Sequence, residues 1–465
     1  MSSNFLIIMS DEHNRHICGA YGNDTVQTPN LDRLAARGTR FANAYTPSPI
    51  CVPARASFAT GQPVHKTGHW DNAFAYAGEP KSWAHMLSDA GHDVVSIGKL
   101  HYRSADDDLG FQNSIEPLYL HKDGDILGCV REPLPVRWVT RKMAEKIGPG
   151  ETPYTAYDRR IVEAAEKWLL EKKQNQTDQP WTAFVSLVAP HFPLIAPQEY
   201  FDRYVDLDLM PTKLASEDEH PWLKAFKACY IYDNFDDEKT HIALASYYAL
   251  VSFMDDNVGK VLAALDATGM AEDTTVIYVS DHGDNAGERG LWGKSTMFEE
   301  SVGIPMILAG PDVPQGKVSQ TPVTLTDIYP TALSLAGLEH QGPSLVDLAA
   351  KEDIIDRVAF SEYHAAGSPT AAYMIRKGKW KYIHYVDYTP QLFDLDADSD
   401  ELHDLGVSPD HAEIREELFD DLRAICNPTE VDRLAKAAQM EKIGRHGGRE
   451  TVVEKGSFGA TPAPK

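Results

Sequence analysis

Five short apolar runs stand out along the chain: FLIIM (5–9), VVSIG (94–98), AFVSLV (183–188), TVIYVS (275–280) and IPMIL (304–308). Each is continuous rather than alternating, which marks strands buried on both faces. Between them lie segments with helical apolar spacing: TPNLDRLAARG (28–38), SWAHMLSDAG (82–91), RRIVEAAEKWLLEKK (159–173), HIALASYYALVSFMDDNVGKVLAAL (241–265) and LTDIYPTALSLAG (325–337). Strands alternating with helices predict an α/β fold, a large and mostly parallel sheet sandwiched by helices. In such sheets ligands gather beyond the carboxyl ends of the strands. Asp11, Lys99, His191 and Asp281 each fall just after one of the runs. They predict one site built from several strand ends.

The pattern changes near residue 360. AYMIRKGKWKYIHYV (372–386) reads as two strands around Lys377-Gly378, QLFDL (391–395) adds a third, and a helix follows at about 410–425. This predicts a catalytic α/β domain over 1–360 and a smaller antiparallel α+β subdomain over 361–465. The Gly- and Pro-rich end, GRHGGRETVVEKGSFGATPAPK, reads as extended.

Composition narrows the partners. Of 465 residues, 43% are hydrophobic and 24% charged, ordinary for a protein with a large core. Acidic side chains outnumber basic ones 69 to 44, a net charge of -25. That argues against nucleic acid and anionic membranes, whose binding relies on Lys and Arg. An anionic small substrate then needs a locally basic pocket. No apolar run approaches the roughly 20 residues of a membrane span. The start, MSSNFLIIMSDEH, lacks a basic segment and reads as a first strand rather than a signal peptide. Five scattered cysteines, at 18, 51, 129, 229 and 426, make no disulfide framework. These features predict a cytoplasmic location.

Two motifs carry acids to strand ends: SDEHN (10–14) and SDHGDNAG (280–287). Together they offer an oxygen-rich cation site, although acids also cap helices and fill turns. PSPICVPARASFATG (47–61) adds a single cysteine between two prolines with an arginine four residues on. Cys51 has no nearby cysteine to pair with, so it is a candidate reactive atom.

Cys51-Val-Pro53-Ala-Arg55 has the C-x-P-x-R form of a sulfatase signature, continued by Ala56-Ser57 and Thr60-Gly61. With TPNLDRLAARG, GKLH (98–101), APHFP (189–193), SDHGD followed by GKSTMFEE (293–300), and QLFDLDADSDELHDL (391–405), the chain resembles the type I sulfatases of the alkaline phosphatase-like superfamily. DNAFAY (71–76) is similar to a segment of the choline-sulfatase and phosphonate monoester hydrolase branch. The resemblance implies that Cys51 is oxidised to formylglycine by a separate generating enzyme. The aldehyde hydrates to a diol, one oxygen attacks the sulfur of a sulfate ester, and loss of a proton from the other expels sulfate.

The other roles follow from the same resemblance. Asp11, Asp281, His282 and the oxygen on residue 51 would hold one divalent cation, calcium first, with manganese or magnesium as alternatives. Glu12 stands where many relatives have aspartate, and its part as ligand stays open. Arg55 would hold the diol, while Lys99 and Lys294 would face the sulfate oxygens. His101 would be the base that collapses the diol, and His191 would bind the sulfate or protonate the departing alcohol. Asn72 would reach the transferred group, and Tyr363 or His364 in SEYHAAGS (361–368) would stand at the pocket rim. The expected partner is a small sulfate ester; self-association stays open. Two other readings stand beside this one: a phosphodiester or phosphonate monoester hydrolase of the superfamily, and a non-catalytic sulfate-binding homologue. The substrate is left to the loops at 102–160 and 195–240.

Overall fold

The computed structural model describes residues 3–175, 179–216, 218–457 and 459–464. Eight strands form the main sheet: β1 (Asn4–Asp11), β2 (Gly38–Phe41), β3 (Asp93–Lys99), β4 (Asn113–Leu118), β5 (Trp181–Pro190), β6 (Thr274–Ser280), β7 (Met306–Ala309) and β8 (Lys317–Ser319). Their order across the sheet is β8-β2-β7-β6-β1-β5-β3-β4. The neighbours β6, β1, β5, β3 and β4 are all parallel, whereas β7 runs antiparallel to both β6 and β2. The IPMIL run is therefore the reversed strand in a mostly parallel sheet.

Apolar residues fill both faces of each central strand, as a sheet covered on two sides requires. Leu6, Ile8, Val95, Ile97, Ala183 and Val185 point into a core shared with the helices Pro153–Asn175 and Asp237–Thr268. Phe5, Ile7, Met9, Val94 and Phe184 point the other way, toward Cys51–Thr60, Trp83–Asp89 and Ile328–Leu335. Fully burying one such side chain contributes about 1.5–3 kcal/mol, so the sheet centre is the firmest platform in the molecule.

The second sheet is an antiparallel meander, β9 (Ala359–Tyr363), β10 (Ala372–Lys377), β11 (Trp380–Tyr385) and β12 (Gln391–Asp394). Its first strand, in the SEY segment, is one the sequence pattern did not reveal. One face packs on the helix Ala412–Ile425 through Tyr373, Ile375, Tyr382, Leu418 and Leu422. The other meets the main domain through Tyr45, Trp222, Phe298, Met374 and Ile383. Buried Lys381 adds ion pairs to Glu299 at 2.8 Å and Glu401 at 2.7 Å.

The C-terminal stretch is not simply extended. A helix over Pro428–Arg445 breaks at Gly447 and Gly448, both in the left-handed region, and RETVVEK resumes as a helix over Gly448–Lys455. Val452 anchors it against Leu127 and Val130. The last described residues then run back to the ends of the main-sheet strands. Among the described residues no helix is long and apolar enough to cross a membrane.

Candidate active site

Cys51 opens a ten-residue helix, Cys51–Thr60, in which every side chain is buried. Gly61 ends that helix with φ 66°, and a Cβ there would stand 2.7 Å from the Tyr329 ring. Its N-terminus has no capping side chain of its own. The Asn72 side chain supplies the cap, its Oδ1 accepting from Val52 N–H at 3.0 Å. A helix N-terminus favours thiolate, but burial and the neighbouring Asp11 carboxylate prevail and push the Cys51 thiol up to about 12.

Around Sγ stand the ends of β1 and β6. His282 Nε2 lies 3.2 Å from Sγ and Asp11 Oδ1 lies 3.7 Å away. His282 Nδ1 faces the Gly283 carbonyl at 3.0 Å. A carbonyl only accepts, so Nδ1 carries the proton and Nε2 turns a lone pair to the cluster. Gly283 is required here, because a Cβ would lie 2.0 Å from the Glu300 carbonyl oxygen. Donor atoms of Asp11, Cys51, Asp281 and His282 all lie within 4.8 Å of one another, as do those of Asp11, Glu12 and His191.

Arg55 does not face the pocket. Its Nε donates to Asp281 at 2.8 Å and Nη2 to Asp11 at 3.0 Å, while Nη1 donates to the Lys99 carbonyl and Ser186 hydroxyl. The guanidinium fixes two carboxylates from behind, which corrects the expectation that it holds the diol. Lys99 Nζ reaches Asp11 at 2.5 Å and Lys294 Nζ reaches Glu12 at 2.8 Å. Four buried carboxylates (Asp11, Glu12, Asp281, Asp284) thus face three cations (Arg55, Lys99, Lys294). The excess of negative charge shows at Glu12. Burial and the nearby Asp284 raise its carboxyl to about 8, against the pull of Lys294, and its Oε1 is buried without a partner.

His191 and His101 also line the cavity. His191 Nδ1 meets the Phe192 carbonyl at 2.7 Å, leaving Nε2 bare toward Glu12 Oε2 at 3.3 Å. Burial and Lys294 hold its pKa well below the usual range; burial and Lys99 do the same for His101. Three non-glycine residues of the lining, Glu12, His101 and Ser295, have φ of 71°, 58° and 83°. Such left-handed strain persists where surrounding contacts over-determine the backbone, as they do at functional sites.

A family model described as Sulfatase matches residues 3–338. The chain belongs to the sulfatase family. A second model, N-sulphoglucosamine sulphohydrolase, C-terminal, matches residues 287–427. Choline-sulfatase of Rhizobium meliloti (strain 1021) is 33% identical, the match covering 87% of this chain and 83% of that protein. Arylsulfatase K of Danio rerio is 31% identical, over 92% and 85%. The fold matches phosphonate monoester hydrolase of Agrobacterium radiobacter with TM-score 0.73 at 22% identity, covering 91% of this chain and 95% of that one. A protein solved with its substrate D-glucosamine-2-N,6-O-disulfate gives the same TM-score and identity, over 91% and 97%. A sulfatase hydrolyses a sulfuric ester.

The cavity, about 130 Å³ in all, has a different character away from Cys51 and the charges around it. Tyr154, Phe192, Tyr230, Tyr232 and Trp292 give it an aromatic wall, with Asp125 and Arg137 beside them. The 102–160 and 195–240 stretches both contribute. The C-terminal tail completes the lining with Gly459, Ala460 and Thr461. Thr461 Oγ1 lies 3.0 Å from His101 Nε2, its carbonyl accepts from the Tyr154 hydroxyl, and Arg160 holds the Pro464 carbonyl at 2.9 Å.

His364 is not at the rim. It is buried, with Nε2 2.9 Å from Glu362 and its ring against Trp70 and Tyr373. Tyr363 is buried as well, its hydroxyl donating to the Ala366 carbonyl at 2.7 Å. His65 bonds the same carboxylate at 2.9 Å. Sequence reasoning also passed over Asp284, although it lies inside the SDHGD motif. Its carboxylate accepts from Ala286 N–H at 2.6 Å and Gly293 N–H at 3.1 Å and so shapes the loop that carries Lys294.

Proposed function

We propose that the chain hydrolyses a sulfate monoester through a formylglycine made from Cys51, with one divalent cation among Asp11, Asp281, His282 and the side chain of residue 51. The observation that carries this reading is the place of Sγ, at the start of a buried helix, 3.2 Å from His282 Nε2 and 3.7 Å from Asp11 Oδ1. A thiol raised to about 12 is almost wholly protonated at neutral pH and makes a poor nucleophile. Its position suits an oxygen-bearing side chain instead. The helix buries residue 51 to 1% exposure, so the modifying enzyme has access only before the fold closes.

The residues fit a cation on two counts. His282 offers an unprotonated nitrogen beside carboxylate oxygens, and the formal excess of one negative charge becomes one positive with a divalent ion. That balance suits a singly charged sulfate ester. An oxygen-rich set with one nitrogen accommodates calcium, and manganese or magnesium are also compatible. When present, the ion supplies Lewis acidity and the aldehyde hydrate supplies the attacking oxygen.

The protein's own groups do the rest. Arg55 keeps Asp11 and Asp281 in place. Lys99 and Lys294 put ammonium charge against the sulfate, where it counts most as charge moves to the leaving oxygen. His191, neutral at rest with Nε2 bare, accepts the proton given up by the attacking hydroxyl and passes it to the departing alcohol. His101, whose Nδ1 is buried without a partner, is the base near residue 51. Asn72 anchors the helix through Oδ1 and lines the pocket. The test compares one leaving group on a sulfate monoester, a phosphodiester and a phosphonate monoester. The sulfate ester should show the highest kcat/KM; a faster phosphonate would overturn the assignment.

A further inference from the structure

Arg137 lines the aromatic part of the pocket, yet its guanidinium is only partly used. Nη2 donates to Asp125 and lies 3.5 Å from the Ser457 hydroxyl. Nε and Nη1 are buried with no hydrogen-bond partner, and so is Asp125 Oδ1. Both side chains are deeply buried, at 7% and 14% exposure. A buried donor or acceptor left unmade is costly, most of all on a charged group. Such a pair persists where a ligand completes it. The guanidinium also lies over the Tyr230 ring, 5.4 Å from its centroid, which fixes the open N–H groups beside an aromatic face.

We propose that Asp125 and Arg137 are specificity-determining residues that read the hydroxyls next to the scissile sulfate, so that the substrate is a sulfated sugar. This rests on the sulfate-ester reading above. The open groups decide between ligand chemistries. Neighbouring sugar hydroxyls both donate and accept, so they answer Arg137 Nε and Nη1 and Asp125 Oδ1 together. A quaternary ammonium group would suit the aromatic wall, but Arg137 sets its own positive charge over that wall, at the Tyr230 ring. A second anionic group would satisfy Arg137 and be repelled by the open Asp125 oxygen. The sugar ring itself lays an apolar face on the tyrosines.

The experiment uses the full chain, carrying the aldehyde and supplied with metal. Its probes are methyl glucoside sulfates substituted at O2, O3 or O6, with cyclohexyl sulfate, choline sulfate and 4-nitrophenyl sulfate. One glucoside sulfate should exceed cyclohexyl sulfate by about 10²-fold in kcat/KM, since a site built for hydroxyls rejects analogues without them. Arg137→Gln should erase most of that preference and change turnover of cyclohexyl and nitrophenyl sulfate less than about threefold. Asp125→Asn, which keeps shape and volume, should lower the glucoside sulfate about tenfold, with an unchanged melting temperature showing that the fold holds. If Arg137→Gln melts lower, the Asp125→Asn selectivity decides. Choline sulfate above every glucoside sulfate, or equal losses on all esters, would overturn the assignment of this pair alone. Failure to cleave any sulfate ester would overturn the sulfatase mechanism beneath it.

Discussion

The floor of the pocket and its outer wall take their residues from different kinds of chain. Asp11, Lys99, His191 and Asp281 stand at or just past the ends of β1, β3, β5 and β6, the buried centre of the sheet. Asp11 is paired with Lys99 at 2.5 Å and Asp281 with Arg55 at 2.8 Å. The wall is made of loop aromatics, the Asp125–Arg137 pair and a tail arriving from the far end of the chain. Arg137 Nε and Nη1 and Asp125 Oδ1 have no partner there. A floor whose cations meet their own acids is built for one reaction, and a wall with unused donors is built for one shape of substrate. The proposed mechanism therefore predicts that changes in the floor lower kcat and changes in the wall alter which ester enters.

Changes that separate the two sort by size. The largest is Cys51→Ala, which should lower kcat by on the order of 10⁵-fold or more, as removal of a nucleophile does, in protein that still folds. Turnover within a hundredfold of wild type would show that the floor works without residue 51. Exhaustive chelation should abolish activity and lower the melting temperature, because an ion bound to the native state alone stabilises it. Full activity with no metal found by elemental analysis would remove the cation from the account.

Lys294→Ala comes next, with an expected loss of roughly 10²–10³-fold in kcat, the scale of one lost oxyanion donor. Lys99→Ala should be similar, and a better leaving group should rescue whichever lysine meets the leaving oxygen. Truncation after Lys455 probes the wall. Removing Gly459–Thr461 should raise KM about tenfold and change kcat far less, as loss of uniform binding does. A kcat loss matching that of Lys294→Ala would place the tail, through Thr461 and His101, in the floor.

The smallest effect is on stability. Asp158 accepts from Val188 and Ala189 N–H at 2.7 and 2.8 Å, just before His191, and burial raises its carboxyl to about 7. An unfolded aspartate titrates near 4. Between those values the folded chain holds more protons than the unfolded one, so this group's contribution to stability falls as pH rises from about 4 to about 7 and is level above. Asp158→Asn should flatten that part of the denaturation profile; an unaltered slope would mean that the carboxylate is ionised in the fold.

The floor was legible in the sequence because each of its residues follows an apolar run or sits in a short motif. Asp11 ends FLIIMSD, Asp281 and His282 follow TVIYVS, and parallel strands bring such ends together. Arg55 was legible in identity but not direction: helical spacing cannot tell which of two carboxylates or a substrate the guanidinium meets. The rim position expected for His364 fails because the residue follows directly on the strand Ala359–Tyr363 and is held inside by Glu362, Trp70 and Tyr373. The wall was not legible. Asp125 and Arg137 lie in a stretch with no periodicity, and Thr461 meets His101 across 360 residues of chain.

The account depends most on what residue 51 is in the working enzyme. The measurement is the mass of the Cys51 peptide from protein of known specific activity, produced with and without a formylglycine-generating enzyme. The aldehyde lies about 18 mass units below the thiol. Activity should rise in proportion to the fraction of that lighter peptide and vanish with it. Full activity in protein whose residue 51 is entirely thiol would contradict the mechanism.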